Sequence, residues 1–220
     1  CFDRATGKPL WETVIHRGQL DTIGHRNTSQ ASGSVTWDGE RLYVNFLHDK
    51  AIHATALDPS GKILWQQRVS DYVPHQGFGS SPVVHETVLL VAADHKGGGK
   101  LVGLDKRTGK TIWQQDRPKV ANYPTPAILK VAGRTQAVLG GCGLVASFDP
   151  LTGKKLWEIE GSTDETVVMA VTDGKRVFVS GGYPKNNMTA VEANGSGKIA
   201  WQNNVRLYVP SMLVRDGYLF

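Results

Sequence analysis

The 220-residue chain has no apolar run that approaches the roughly 18–20 residues a membrane-spanning helix needs. Its two cysteines, Cys1 and Cys142, cannot supply a disulfide framework, and they leave the compartment open. There is no G-x-S-x-G elbow to carry a hydrolase nucleophile and no H-x-x-x-H spacing for a metal. Gly97-Gly98-Gly99 lacks the Lys-Ser/Thr and the following helix of a phosphate loop; it reads as a long flexible hairpin between two strands. Long runs of one charge are missing too. The 25 Lys and Arg are interspersed with 20 Asp and Glu, for a net charge of +5. A nucleic-acid groove needs basic residues clustered among aromatics, so no nucleic-acid partner is expected. Histidine is absent from more than half of the chain, all seven lying between His16 and His95.

What is present is a repeat. A small residue, an Asp, a Thr-Gly or Ser-Gly, a Lys and a Trp recur in order. Asp3, Gly7 and Trp11 share one spacing with Asp105, Gly109 and Trp113 and with Asp149, Gly153 and Trp157. Asp58, Gly61 and Trp65 are one residue closer together, and the last copy keeps Gly197 and Trp201 but reads Ala193 where Asp is expected. Successive tryptophans lie 54, 48, 44 and 44 residues apart, a period of propeller blades. One unit resolves into four strands, over residues 81–85, 88–93, 100–105 and 110–115, joined by tight turns. The Asp carboxylate can accept turn N–H groups, and Thr or Ser adds a second local acceptor. Gly supplies a positive φ for a bulged hairpin. The Trp can then lay its ring against the neighbouring blade. All five motifs, the one at Gly7 included, are expected to dock blades in this way. The fold expected is all-β, a propeller of four-stranded antiparallel blades.

These residues resemble the tryptophan-docking motif of the PQQ-like, quinoprotein-type β-propeller repeats, and the resemblance covers essentially the whole chain. It implies blades at about residues 32–65, 79–113, 124–157 and 166–201, all in one propeller domain. A closing strand over 8–14 and an opening pair over 208–220 flank them. Because the chain starts inside a motif and stops inside a strand, it is expected to be a piece of a seven- or eight-bladed protein.

Relatives of this repeat divide into two groups. One comprises quinone- and Ca²⁺-dependent dehydrogenases; the other comprises non-enzymatic scaffolds of the BamB type and sensor propellers attached to kinases. Family alcohol dehydrogenases carry an adjacent Cys-Cys pair, and none occurs here. Trp37, the one Trp outside the motif, belongs to an Asp38-Gly39 turn. The expectation is therefore a non-catalytic scaffold, BamB-like and extracytoplasmic, with no cofactor of its own. It would present loops such as 69–80 and 183–188 to a protein partner. Any membrane tether would lie outside this chain. The alternatives are a PQQ/Ca²⁺ dehydrogenase whose site lies in other blades and a ligand-sensing propeller. Before the first strand of successive blades the register places His25 and Asn27, then His75 and Gln76, then Tyr123, with Tyr208 in the same place in a later blade, at a channel mouth suited to a metal or a small polar ligand. Cys142 is expected as a small buried residue in a second strand.

Overall fold

The computed structural model describes residues 1–18 and 32–220, which form strands and no helix. The first sheet holds β1 (Thr36–Trp37), β2 (Leu42–His48), β3 (Ala51–Leu57) and β4 (Ile63–Asp71). The second holds β5 (Val83–His85), β6 (Val88–Ala93), β7 (Lys100–Asp105) and β8 (Thr111–Asp116). The third holds β9 (Ala127–Val131), β10 (Arg134–Gly141), β11 (Leu144–Phe148) and β12 (Lys155–Glu160). The fourth holds β13 (Val171–Thr172), β14 (Arg176–Gly181), β15 (Asn187–Glu192) and β16 (Ile199–Asn203), and a hairpin of β17 (Val214–Arg215) and β18 (Tyr218–Leu219) follows. Each four-stranded sheet pairs its strands in sequence order and antiparallel.

Burial explains the sequence pattern strand by strand. β6, Val-Leu-Leu-Val-Ala-Ala, is buried along its whole length because neighbouring sheets cover both faces. The fourth strand of the first blade alternates instead, one face in and one out. The cores lie between blades rather than within them. Tyr43 and Ile52 of the first blade meet Leu89 and Val102 of the second. Leu90 and Leu101 of the second meet Leu139 and Phe148 of the third, and Val138 and Val145 of the third meet Val177 and Val191 of the fourth.

Antiparallel order puts the first–second and third–fourth turns of every blade at one end, the turn end. The second–third loops and the connectors between blades lie at the other, the connector end.

Several expectations change. Residues 8–14 make one bridge, Phe2 to Pro9, rather than a strand, because Cys1–Asp3 is the only ladder partner they meet among the described residues. Gly7 closes its turn at φ +70 as expected, and among the described residues an added Cβ there would meet nothing within 4 Å. Cys142 is buried but sits in the two-residue turn between β10 and β11, at φ +60, with Gly143 at φ +73. Gly97-Gly98-Gly99 is closely packed rather than loose. A Cβ on Gly97 would lie 2.9 Å from the His95 ring and from Val73, and one on Gly99 2.8 Å from the Asp94 backbone. Parts of the expected loops are strand: 69–71 closes β4, and 187–188 opens β15.

Candidate functional site

The repeated turn is built by local hydrogen bonds. Asp105 Oδ1 accepts the backbone N–H of Arg107 at 3.0 Å and of Thr108 at 2.7 Å, and the Thr108 hydroxyl at 2.8 Å. Gly109 N–H donates to the Asp105 carbonyl at 2.8 Å. Asp3 and Asp149 repeat the pattern, and Asp58 does so with Ser60. The side-chain bond from Thr108 holds Asp105 below the usual carboxylate range, as Thr6 does for Asp3 and Ser60 for Asp58.

Three of the turn glycines receive the tryptophan of the preceding motif. A Cβ on Gly61 would stand 2.5 Å from the Trp11 ring, on Gly109 2.6 Å from Trp65, and on Gly153 2.5 Å from Trp113. Trp11 and Trp65 fix the orientation by donating Nε1–H to the carbonyls of Pro59 (3.0 Å) and Lys106 (3.1 Å).

Gly7 is not one of them. Its N–H donates to the Asp3 carbonyl at 2.8 Å, so the turn itself is intact. The ring that covers a turn glycine comes from the motif before it, however, and no tryptophan precedes Gly7 in this sequence. Among the described residues nothing lies within 4 Å of a Cβ added at Gly7, and the first motif's Trp11 lies on Gly61.

The fourth junction departs from this scheme in another way. In the last motif Glu192, not Ala193, takes the Asp position. Its N–H donates to the Lys198 carbonyl, as those of Asp58, Asp105 and Asp149 do to Lys62, Lys110 and Lys154. The small residue opposite Trp201 is Ala190. The turn is one residue longer than its counterpart at Asp105–Lys110, and the Glu192 carboxylate pairs with Arg176 at 3.0 Å instead of capping it. Gly197 lies against Ile159 and carries no ring. Trp157 donates its Nε1–H to Gln136 Oε1 at 2.7 Å, and Gln136 Nε2 donates to the Ala193 carbonyl at 3.1 Å. One buried amide thus bridges a tryptophan and a turn that no longer meet directly. Trp201 packs on Phe178 of its own blade.

At the connector end, loops from different blades converge on a cavity of about 250 Å³ lined by Gln76, Phe78, Tyr123, Val167, Tyr208 and Val209, among others. The structure therefore brings Gln76 and Tyr123 together, with His75 beside them. His25 and Asn27 lie outside the described residues. Lys96 Nζ is 3.1 Å from His75 Nδ1, and His75 Nε2 is 3.5 Å from Glu165 Oε1. Tyr208 donates its hydroxyl to Glu165 Oε2 at 3.2 Å. Burial and the Glu165 charge push Tyr208 up to about 12, and the same two causes raise Tyr123. The Tyr123 hydroxyl is buried without a hydrogen-bond partner among the described residues. Lys96–His75–Glu165–Tyr208 runs across the connector end, and of these four Tyr208 lines the cavity.

Behind it lies a buried network that the sequence did not announce. Arg117 Nε and Nη2 each reach Asp94 at 3.1 Å, with both side chains almost wholly buried. Asn122 Nδ2 donates to Asp94 Oδ2 at 3.0 Å and to the Gly140 carbonyl at 2.9 Å, while its Oδ1 accepts Thr166 N–H at 2.9 Å. Asn122 thereby ties three blades together and orients its neighbour Tyr123. Burial, then Asp94, raises the Cys142 thiol far above its ordinary value, which makes it an unreactive packing group.

Three of the clustered histidines form a separate group. His16 stacks on His48 with centroids 4.7 Å apart and meets His53 edge-on at 4.9 Å. Burial, then His53 and His48, push His16 down to about 4. Parallel stacking prevents His16 and His48 from aiming nitrogens at one ion. Among the described residues no group of three or more His, Cys, Asp or Glu converges to hold a metal. Trp37 is 52% exposed at the turn end, away from the cavity.

Four-stranded blades joined by turn-borne tryptophans define a β-propeller of PQQ-like repeats. The chain belongs to the family described as Outer membrane protein assembly factor BamB, whose model matches residues 1–220. BamB of Moranella endobia is 26% identical over 231 residues, covering 100% of this chain and 56% of that protein. Subunit 1 of the cytochrome c methanol dehydrogenase of Methylorubrum extorquens is 22% identical over 149 residues, covering 60% of this chain and 24% of its own length. The crystal structure of BamB from Moraxella catarrhalis aligns with a TM-score of 0.56 at 18% identity, covering 77% of this chain and 50% of that one. This chain spans about half the length of the BamB proteins it matches. No helix among the described residues is long and apolar enough to cross a membrane.

Proposed function

We propose that this chain is part of a non-catalytic, extracytoplasmic scaffold that acts in outer-membrane protein assembly. Its connector end binds a protein of the assembly machinery. The observation that carries the reading is the family match over residues 1–220. The site chemistry agrees with it. In the cavity of Gln76, Tyr123 and Tyr208, Tyr208 is held by Glu165 while the Tyr123 hydroxyl has no partner among the described residues, and the cavity suits a side chain of a partner or a small polar ligand. The likeness to methanol dehydrogenase supports the shared repeat.

The test is complementation. The full-length protein should restore outer-membrane protein levels in a bacterium lacking its own BamB. Gln76→Ala, Tyr123→Ala and Tyr208→Ala together should abolish rescue while leaving expression and melting behaviour intact. Dye-linked alcohol oxidation by the purified protein with added quinone and Ca²⁺ would overturn the scaffold reading. Full rescue by the triple variant would move the partner surface away from the connector end.

A further inference from the structure

The charge on this propeller is not shared between its two ends. The turns and their flanks (residues 3–8, 38–41, 58–62, 86–87, 105–110, 130–134, 149–155, 173–176, 192–198 and 215–217) carry 15 Lys and Arg against 10 Asp and Glu. That difference, 15 − 10, equals the net +5 of the whole chain. The turn end is therefore basic, and the rest of the chain balances to zero.

The excess is displayed in a regular way. Lys8, Lys62, Lys110, Lys154 and Lys198 occupy the same place in five successive motifs, one residue after the turn glycine. All five are exposed, and none is in an ion pair with a described residue. The motif aspartates beside the first four point a carboxylate oxygen at their own turn amides. Two residues after three of these lysines stand Leu10, Leu64 and Ile112, which are 62%, 41% and 50% exposed. Three of the five lysines thus have an exposed aliphatic residue two positions on, which for Leu64 and Ile112 is at the start of the fourth strand of a blade.

We propose that the turn end is a docking face for an anionic phospholipid bilayer. The turns of successive blades lie at one end of their sheets, so a broad surface can meet them together. Lysine is a hydrated point charge that suits diffuse headgroups, whereas recognition of a single carboxylate or phosphate favours the arginine fork. Interleaved lysine and aliphatic side chains are the chemistry of interfacial binding. Each lysine near an anionic surface contributes roughly a fivefold factor in partitioning, within about a Debye length. The inference is independent of the partner reading above, because it concerns the opposite end of the blades.

The experiment is sedimentation of the chain with vesicles of phosphatidylcholine alone and with about 30% phosphatidylglycerol, at about 50 and 300 mM salt. Binding to the anionic vesicles only, weakened more than about tenfold by salt, is expected. Replacing Lys8, Lys62, Lys110, Lys154 and Lys198 by Gln should lower partitioning by more than about tenfold. A charge-matched control at the connector end, Lys50, Arg68, Lys119, Lys185 and Arg206 to Gln, should lower it by less than about threefold. Leu10→Ser, Leu64→Ser and Ile112→Ser together should remove the binding that survives high salt. No binding to anionic vesicles at low salt, or equal losses in the two charge variants, overturns the proposal. Equally tight binding to an acidic protein or to DNA would make the face a general polyanion surface and overturn the bilayer assignment. Failed complementation with intact vesicle binding would sink the scaffold reading alone.

Discussion

Replacing Gly153 by Ala isolates the energy of one docked tryptophan. Gly153 sits at φ +71, and an added Cβ would stand 2.5 Å from Cδ2 and Cε3 of Trp113. The ring cannot slide away. On its other side it lies on Gly103, where a Cβ would be 2.2 Å from Cε2. The alanine therefore brings two costs. Holding a residue with a Cβ in the left-handed region costs about 1 kcal/mol. Displacing a ring that is only 8% exposed forfeits much of the roughly 3–5 kcal/mol that a buried Trp→Ala change removes. The expected total is about 3–5 kcal/mol. Gly143→Ala, in the other hairpin of the same blade, is the control. Its φ is +73 and nothing lies within 4 Å of the added Cβ, so it should cost about 1 kcal/mol alone. Gly7→Ala is a second control, in the same motif turn but without a ring above it, and it should cost no more.

Urea unfolding followed by far-ultraviolet circular dichroism measures these variants, and a double-mutant cycle completes the argument. Trp113→Ala should cost about 3–5 kcal/mol. In that background Gly153→Ala should fall to about 1 kcal/mol, because the ring it collides with is gone. Equal costs for Gly153→Ala and Gly143→Ala, or strict additivity with Trp113→Ala, would refute the claim that the indole wedges on the next blade's turn.

Gln136→Leu should destabilise the chain by about 2–4 kcal/mol in thermal melts, because it strands Trp157 Nε1–H, the Ser147 hydroxyl and the Ala193 carbonyl; a loss under about 0.5 kcal/mol would dismiss the bridging role. Asp94→Ala should cost about 3–5 kcal/mol by leaving Arg117 charged and unpaired, and pairing Asp94→Leu with Arg117→Met should recover most of it. Stability should fall with acid: His16 is pushed from 6.5 to about 4, so between those values the unfolded chain binds a proton that the folded chain refuses. Stability is level above about pH 6.5 and is lost as pH drops toward 4. The full shift corresponds to about 3 kcal/mol, and solvent screening of this partly buried ring reduces it to about 1–2 kcal/mol. His16→Gln should flatten that limb of the urea-midpoint curve, and an unchanged limb would assign it to other groups.

The blades were legible because their grammar is local. Asp105, Thr108 and Gly109 close one turn within five residues, and Trp113 follows at a fixed step. A period read from such phrases locates sheets. It says less about docking, because a turn glycine lies under a ring only when the motif before it supplies one. Gly7 has the same spacing as Gly109 and a similar positive φ, and among the described residues nothing lies within 4 Å of a Cβ added there. The cavity was half legible. Register placed His75, Gln76, Tyr123 and Tyr208 at one end of the molecule, but which of them line one cavity depends on how the connectors converge. Glu165 was missed, although it precedes its blade much as His75 and Asn122 precede theirs, so the same register held the signal. Asp94 and Arg117 lie 23 residues apart and belong to no periodic pattern, so their pairing could not be read from the chain.

Departures from the repeat were the more telling signal. The last motif was aligned one residue late, with Ala193 in the Asp position, because spacing alone cannot separate a substitution from an insertion. The hydrogen bond from Glu192 N–H to the Lys198 carbonyl resolves it as an insertion. That extra residue lifts Gly197 away from Trp157 and leaves an indole N–H to be satisfied in the core. A buried donor without a partner is costly, so the chain carries a fully buried amide at Gln136 that serves the indole and also reaches the longer turn at Ala193. A broken phrase at one position therefore implies a compensating polar residue elsewhere in the adjoining blade. Trp113 departs from this pattern: its Nε1–H is buried without a hydrogen-bond partner among the described residues. Beside Trp11, Trp65 and Trp157, whose indoles all donate, it is the one whose docking rests on packing alone. That makes Gly153 the sharpest place to measure what the packing is worth.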